Sequence, residues 1–144
     1  MSATRSRKEE LTYKRHLNNQ ASDECQFCAI KKGDKQFISA TKYFKVIRNI
    51  FAYSIWDGQT VTDHLMVLPK RHIDNIASFS AAEGTEFLKL ISRYEKQGYN
   101  IYARAPASVI KSVAHQHTHL IKTKGAAKKL IFLIRLPVYF RFVK

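Results

Sequence analysis

Three histidines alternate with other residues late in the chain, in the segment His115-Gln116-His117-Thr118-His119. Side chains on a β-strand point alternately to its two faces, so residues two apart share a face. We predict a strand over residues 114–122, which places the three imidazoles in one row at intervals of roughly 6–7 Å. Half of the six histidines of the chain lie in this row. The row predicts a functional site, although His-x-His is also a pattern in which strands present metal ligands.

A histidine in such a row can act as a nucleophile toward phosphorus. Much of an imidazole is unprotonated at neutral pH, and one ring nitrogen stays free to attack if the other donates to a carbonyl. Neighbouring imidazoles can donate to phosphoryl oxygens and stabilise the charge that develops there. His117 lies in the middle of the row with a histidine on each side, so it is the expected attacker. The sequence has no Gly-x-x-x-x-Gly-Lys pattern, so phosphate binding by a P-loop is not expected.

The remaining sequence predicts an α+β fold with a mainly antiparallel sheet. Ser80 followed by Glu83 is a capping box, and apolar residues at helical spacing then predict one long helix over residues 81–96. A short, polar helix is expected near the N-terminus, over residues 5–20. Asp57-Gly58 is a turn signal between apolar segments. Strands are predicted at residues 43–48, 51–56, 64–68, 99–104 and 114–122.

Three regions are expected along the 144 residues. Residues 1–22 form an N-terminal helical extension, 23–125 the main domain, and 126–144 a basic and apolar tail. The tail is expected to pack on the domain or on a partner subunit, with an anionic membrane surface as the alternative. The N-terminal residues lack the apolar segment of a signal peptide, so a cytoplasmic location is expected.

Positive charge is concentrated in the last third of the chain. The net charge is +14, and none of the 11 acidic residues lies after Glu95, whereas ten basic residues lie from Lys96 to the C-terminus. Such a field attracts phosphates, nucleic acid or an anionic membrane. A basic surface that serves only solubility explains the same charge about equally well.

The histidine segment extends into a longer motif that identifies a family. His115-Gln116-His117-Thr118-His119-Leu120-Ile121 is similar to the motif of the histidine triad (HIT) family, in which three histidines alternate with hydrophobic residues. Residues 63–72, Asp-His-Leu-Met-Val-Leu-Pro-Lys-Arg-His, resemble the family's strand with its Pro-Lys-x-His ending. Residues 25–30, Cys-Gln-Phe-Cys-Ala-Ile, resemble its N-terminal Cys-x-Phe-Cys-x-Ile knuckle. The three blocks occur in the family's order.

The resemblance implies a HIT-like fold and roles for named residues. His117 takes the position of the attacking histidine, and His119 and His64 would line the phosphate. Three further residues are candidates for nucleotide binding, namely Asn49, Lys111 and Ser112. Gln116 and Thr118 replace the usual hydrophobic residues, and residues 107–111 replace a glycine-rich approach to the triad. The sequence therefore leaves the base and the leaving group open.

Two cysteines form half of a tetrahedral zinc site. Cys25-x-x-Cys28 needs two more ligands, and the resemblance implies that these are His72 and His115, which together make a structural zinc centre. A redox pair or two buried thiols is the alternative interpretation of the cysteines.

Two functions follow from these observations. The first is a nucleotidyl hydrolase or transferase that attacks the α-phosphate of a phosphoramidate, an adenylylated molecule or a dinucleoside polyphosphate through a nucleotidyl-histidine intermediate. The second is a non-catalytic protein that binds a nucleotide or nucleic acid with the same pocket and the basic last third. A homodimer is expected in either case.

Overall fold

The computed structural model describes Arg5 and residues 7–18, 25–108 and 111–126. Within these residues the elements follow in the order α1 (Arg7–Asn18), α2 (Gln26–Ala29), β1 (Phe37–Ala40), β2 (Phe44–Arg48), β3 (Ile55–Trp56), β4 (Gln59–Pro69), a 3-10 helix (Ile76–Ser78), α3 (Ala81–Glu95), β5 (Tyr99–Ala103) and β6 (Thr118–Ala126). The predicted α+β class is confirmed.

The strands form one antiparallel sheet in the order β1-β2-β4-β6-β5, with β3 paired to one end of β4. Strand β4 is 11 residues long and pairs with three other strands, so it organises the sheet. The predicted turn joins β3 to β4. Asp57 and Gly58 both have positive φ, at 49° and 73°, which suits a tight hairpin turn.

The two faces of the sheet carry different layers. On one face, α3 contributes Phe87 and Leu90 to a buried cluster with alternate residues of β2, β4 and β6. On the other face, α2 and the residue after it contribute Phe27 and Ile30 to a second cluster with the intervening residues, Ile47, Met66 and Leu68. Because side chains alternate along each strand, one face of the sheet packs against α3 and the other against α2.

Helix α3 begins where its sequence predicts. The Ser80 hydroxyl accepts from the backbone N–H of Glu83, and the Glu83 carboxylate accepts from the backbone N–H of Ser80. Arg71 adds an ion pair to Glu83 at 2.9 Å. The contacts with Arg71 and with the backbone N–H of Ser80 lower the pKa of the Glu83 carboxyl to about 2. The loop that follows β4 is thus tied to the start of the helix.

The predicted strand over residues 114–122 is displaced in the structure. Strand β6 runs from Thr118 to Ala126. It starts only at Thr118 because the pairing with both β4 and β5 ends at that residue. Before Thr118 the backbone bonds elsewhere, and the N–H of Gln116 donates to the carbonyl of Ile73 at 2.6 Å. The histidine row therefore begins in a loop and ends in a strand.

Other boundaries also differ from the sequence prediction. Of residues 51–56 only Ile55–Trp56 is a strand, because side chains of the site capture the preceding backbone N–H groups, as described below. Strand β1 was not predicted, and β4 extends well beyond the predicted residues 64–68. The N-terminal helix is described over Arg7–Asn18, within the predicted residues 5–20, and residues 6, 19 and 20 lie outside the described part.

The predicted tail after Ala126 lies outside the described residues, and the proposed division at residues 22 and 125 remains a prediction. In the described part of the chain, every helix is too short or too polar to cross a bilayer.

Candidate active site

Three predicted histidines meet on the face of the sheet opposite α3. The Nε2 atom of His64 on β4 lies 2.9 Å from Nδ1 of His119 on β6, and the rings of His117 and His119 are 5.0 Å apart. These side chains are almost completely buried, with exposed fractions between 2% and 6%. The pairing of β4 with β6 sets this arrangement, since Met66 lies opposite His119 and places His64 on the diagonal.

One backbone hydrogen bond and one between the two rings fix the proton positions in the His64–His119 pair. The N–H of Tyr53 donates to Nδ1 of His64 at 3.1 Å, so His64 carries its own proton on Nε2. That proton is donated to Nδ1 of His119, and His119 therefore carries its proton on Nε2. This last N–H is inaccessible to solvent and has no hydrogen-bond partner among the described residues. The pair therefore ends in a buried donor that no described residue satisfies.

His117 has the opposite polarity. Its Nδ1–H donates to the backbone carbonyl of His115 at 2.8 Å, which leaves Nε2 as an unprotonated lone pair. The site thus places a nucleophilic nitrogen next to a buried N–H donor.

Burial keeps these imidazoles neutral. Desolvation, with a smaller contribution from the positive charge of Arg5, lowers the pKa of His64 to about 3. Desolvation also lowers the pKa of His117, and it holds the pKa of His119 well below the ordinary value. The histidines therefore offer neutral hydrogen-bond donors and acceptors, and any positive charge at the site has to come from other side chains.

Of the three residues predicted to bind nucleotide, Asn49 contacts this group and the charge of Lys111 reaches His117. The side-chain amide nitrogen of Asn49 lies 3.2 Å from Nε2 of His64. The amide oxygen of Asn49 accepts from the backbone N–H of Phe51 at 3.0 Å. The Ser112 hydroxyl bonds to the Tyr13 hydroxyl at 2.5 Å. The Lys111 ammonium donates to the carbonyl of Asp74 at 2.7 Å.

Sequence analysis missed an aromatic wall beside the histidines. The ring of Tyr53 lies 4.7 Å from His64 and 5.7 Å from His119, and Tyr102 stacks on His119 at 5.8 Å. Trp56 joins the two tyrosines at 5.9 and 4.8 Å. Arg104, the second residue after Tyr102, borders the same wall. The sequence shows Arg104 only as the last residue of a predicted strand, residues 99–104, and gives no signal that this strand lies beside the triad.

The N-terminal helix also reaches this wall. Arg5, just before α1, donates twice to the carbonyl of Phe51 and covers the ring of Tyr53 at 4.9 Å. Glu9 accepts from the Ser54 hydroxyl. A segment predicted only as a polar surface helix therefore contacts the loop that orients His64.

The four predicted metal ligands form one cluster beside the row. The donor atoms of Cys25, Cys28, His72 and His115 all lie within 4.8 Å of one another. Nδ1 of His115 lies 3.5 Å from Sγ of Cys25 and 3.4 Å from Sγ of Cys28, and Nδ1 of His72 lies 3.3 Å from Sγ of Cys28. Sequence positions 25, 28, 72 and 115 thus meet as predicted.

The cluster fits a tetrahedral ion. With metal–ligand bonds of about 2.0–2.3 Å, neighbouring donors around zinc are about 3.5 Å apart, which matches these contacts. The other nitrogen of His115, Nε2, donates to the carbonyl of Pro69 at 2.9 Å, so Nδ1 is left unprotonated for a metal. Lys45 supports the knuckle, because its buried ammonium donates to the carbonyls of Phe27 and Ile30 at 2.5 and 2.9 Å.

Comparisons with known proteins agree on one family. The model of the HIT domain matches residues 31–126. Among solved structures, a HIT family hydrolase from Clostridium thermocellum is 17% identical with a TM-score of 0.55, over 76% of this chain and 99% of that chain. A histidine triad nucleotide-binding protein from Candida albicans is 20% identical with a TM-score of 0.54, over 70% and 76%. A hypothetical protein from Leishmania major is 22% identical with a TM-score of 0.56, over 73% and 76%. No curated protein matches the sequence significantly.

Proposed function

Because the chain belongs to the HIT domain family, we propose that it is a nucleotide-binding hydrolase or transferase in which His117 attacks an α-phosphate. The substrate class is a nucleotide derivative: a phosphoramidate, an adenylylated molecule or a dinucleoside polyphosphate. The descriptions of two structural neighbours, as a hydrolase and as a nucleotide-binding protein, agree with this proposal. The observation that carries it is the hydrogen bond from Nδ1 of His117 to the carbonyl of His115.

That bond gives His117 the form that a nucleophile needs. In the proposed reaction the Nε2 lone pair forms a bond to the α-phosphorus, and the bond from phosphorus to the leaving group breaks. The leaving group departs with the electron pair and takes up a proton. Water, or another acceptor in a transferase, then attacks the phosphorus and gives up a proton, which balances the one taken by the leaving group, and the bond from phosphorus to Nε2 breaks to restore neutral His117.

The neighbouring histidines are proposed to hold the phosphate. The Nε2–H of His119 is a buried donor without a partner among the described residues, and donors of this kind stabilise oxygens on which negative charge develops. His64 does not need to touch the substrate, because its own Nε2–H fixes the tautomer of His119. Asn49, Lys111 and Ser112 are proposed to contact other parts of the nucleotide.

We further propose that the cluster of Cys25, Cys28, His72 and His115 holds zinc. All four positions are taken by protein ligands, which is the arrangement of a structural ion rather than of one that activates water. The ion would tie the segment around α2 to the end of β4 and to the start of the histidine row.

Trapping the intermediate tests the proposal directly. The protein is mixed with adenosine and guanosine phosphoramidates and dinucleoside polyphosphates, quenched, and analysed by peptide mass spectrometry. We expect a nucleotidyl group on His117 and none in His117→Ala. An adduct on another residue would overturn the assignment of the nucleophile. Turnover without any adduct would favour a direct attack by water. Nucleotide binding without turnover or adduct would favour the non-catalytic alternative.

The homodimer and the cytoplasmic location remain predictions of the sequence. Sedimentation analysis of the full chain tests the first, and fractionation of its native cells tests the second.

A further inference from the structure

Arg104 is held on the aromatic wall next to His119. It follows β5, its guanidinium lies 5.3 Å from the ring of Tyr102, and its Nη2 donates to the hydroxyl of Tyr53 at 3.1 Å. Both of these rings are neighbours of His119, at 5.8 and 5.7 Å. Two aromatic contacts therefore fix a cation on the same two rings that contact His119.

The guanidinium retains donors for a ligand. Arginine has five N–H groups in a planar fork, and the contact with Tyr53 uses one of them. Among the described residues, no carboxylate lies within ion-pair distance of Arg104. The other cations near the site are committed elsewhere: Arg5 donates twice to the carbonyl of Phe51 and lies 3.7 Å from Glu10, and Lys111 donates to the carbonyl of Asp74.

The histidines alone cannot balance the charge of a phosphate. Burial keeps His64 and His119 neutral, so they can donate hydrogen bonds but provide no positive charge. Placing an anion in a buried position without a counter-charge is costly. The charge of Arg104 does reach this position, since it contributes to lowering the pKa of His119, after the larger effects of burial and of the neighbouring histidines.

We propose that Arg104 binds the phosphate of the nucleotide beside His119 and supplies the positive charge that the neutral histidines lack. The inference rests on the proposed nucleotide site but not on the covalent step. The planar fork of arginine suits phosphate oxygens, which it can contact in pairs. Tyr53 is a positioning residue for Arg104, because its hydroxyl orients the guanidinium.

Binding of paired ligands with and without a phosphate tests this role. Isothermal titration calorimetry of the full chain is done with AMP and adenosine, and with GMP and guanosine, for wild type, Arg104→Gln and Arg104→Lys. A lost charge-assisted contact weakens nucleotide binding by about 10- to 100-fold in Arg104→Gln, whereas nucleoside binding changes less than about twofold. Arg104→Lys should recover part of the loss. Arg93→Gln, an exposed change on α3, controls for the loss of one positive charge.

Three results would overturn the inference. Equal weakening of nucleotide and nucleoside would show that Arg104 only supports the wall. Unchanged nucleotide affinity in Arg104→Gln would exclude a phosphate contact, and so would a wild type that binds AMP and GMP no better than the nucleosides. If Arg104→Gln does not fold, by circular dichroism, Arg104→Lys and Tyr53→Phe provide the same comparison. A phosphate-dependent effect of Arg104 in a protein that forms no adduct would refute the proposed reaction and leave this inference standing.

Discussion

Replacing His64 by phenylalanine removes the group that fixes the tautomer of His119. In the structure the Nε2–H of His64 is donated to Nδ1 of His119, and Nδ1 of His64 accepts the N–H of Tyr53. In the variant both partners stay buried, and each loses a hydrogen bond. The proton of His119 is then free to move to Nδ1, where it no longer faces the phosphate.

The magnitude follows from these two losses. A buried polar group left without its partner costs about 1–3 kcal/mol, so the two losses in His64→Phe should lower the free energy of unfolding by about 2–6 kcal/mol. Loss of one preorganised donor at a developing oxyanion typically lowers kcat by about 100-fold. We therefore expect a folded but less stable protein with kcat reduced by about two orders of magnitude and with a smaller change in KM.

A second substitution separates the tautomer from simple burial. In His64→Gln the side-chain amide can still donate to Nδ1 of His119, so kcat should stay within about tenfold of wild type. Stability is measured by urea unfolding, and rates by steady-state turnover of the best phosphoramidate. Equal losses of kcat in both variants, or a fully active His64→Phe, would refute the role of the hydrogen bond.

Three further predictions concern the nucleophile, the metal cluster and the effect of pH. His117→Ala should retain less than about 1% of the wild-type rate with unchanged zinc content, and a larger residual rate would contradict covalent attack by this residue. Protein purified without chelator should carry close to one zinc per chain and lose it in Cys25→Ser together with thermal stability; equal zinc in both proteins, measured by elemental analysis, would reject the site. Because burial lowers the pKa of His64 to about 3 and that of His119 below its ordinary value, the folded protein binds fewer protons than the unfolded chain below about pH 6.5, and the free energy of unfolding should fall as the pH drops from 6.5 toward 5. Denaturant unfolding across this range checks the direction of the change. In His64→Gln the fall in the free energy of unfolding should be smaller.

Local signals in the sequence predict local structure well. The capping box at Ser80 and Glu83 predicts the start of α3, and Asp57-Gly58 predicts the turn into β4. These features depend on side chains and backbone within a few residues, so no tertiary information is needed. The metal ligands were found differently, because their spacing along the chain carries the resemblance to a family.

The remaining features depend on contacts between distant parts of the chain. The start of β6 at Thr118 is set by how far β4 and β5 extend beside it, which the alternation of the histidines does not reveal. Tyr53 was assigned to a strand, but its N–H is taken by His64, which comes from another element. Arg104 is one basic residue among many until the pairing of β5 with β6 brings it to the triad.

His115 belongs to both the metal-ligand cluster and the histidine row. Its ring carries a donor atom of the Cys25–Cys28 cluster, while its backbone oxygen holds the ring of His117. A change in coordination that tilts the ring of His115 would thus also change the orientation of the His117 ring and of its Nε2 lone pair. Exchanging zinc for cobalt, or removing it, should therefore shift the ring resonances of His117 in an NMR spectrum. A metal in the cluster would therefore affect the orientation of His117 as well as the stability of the fold.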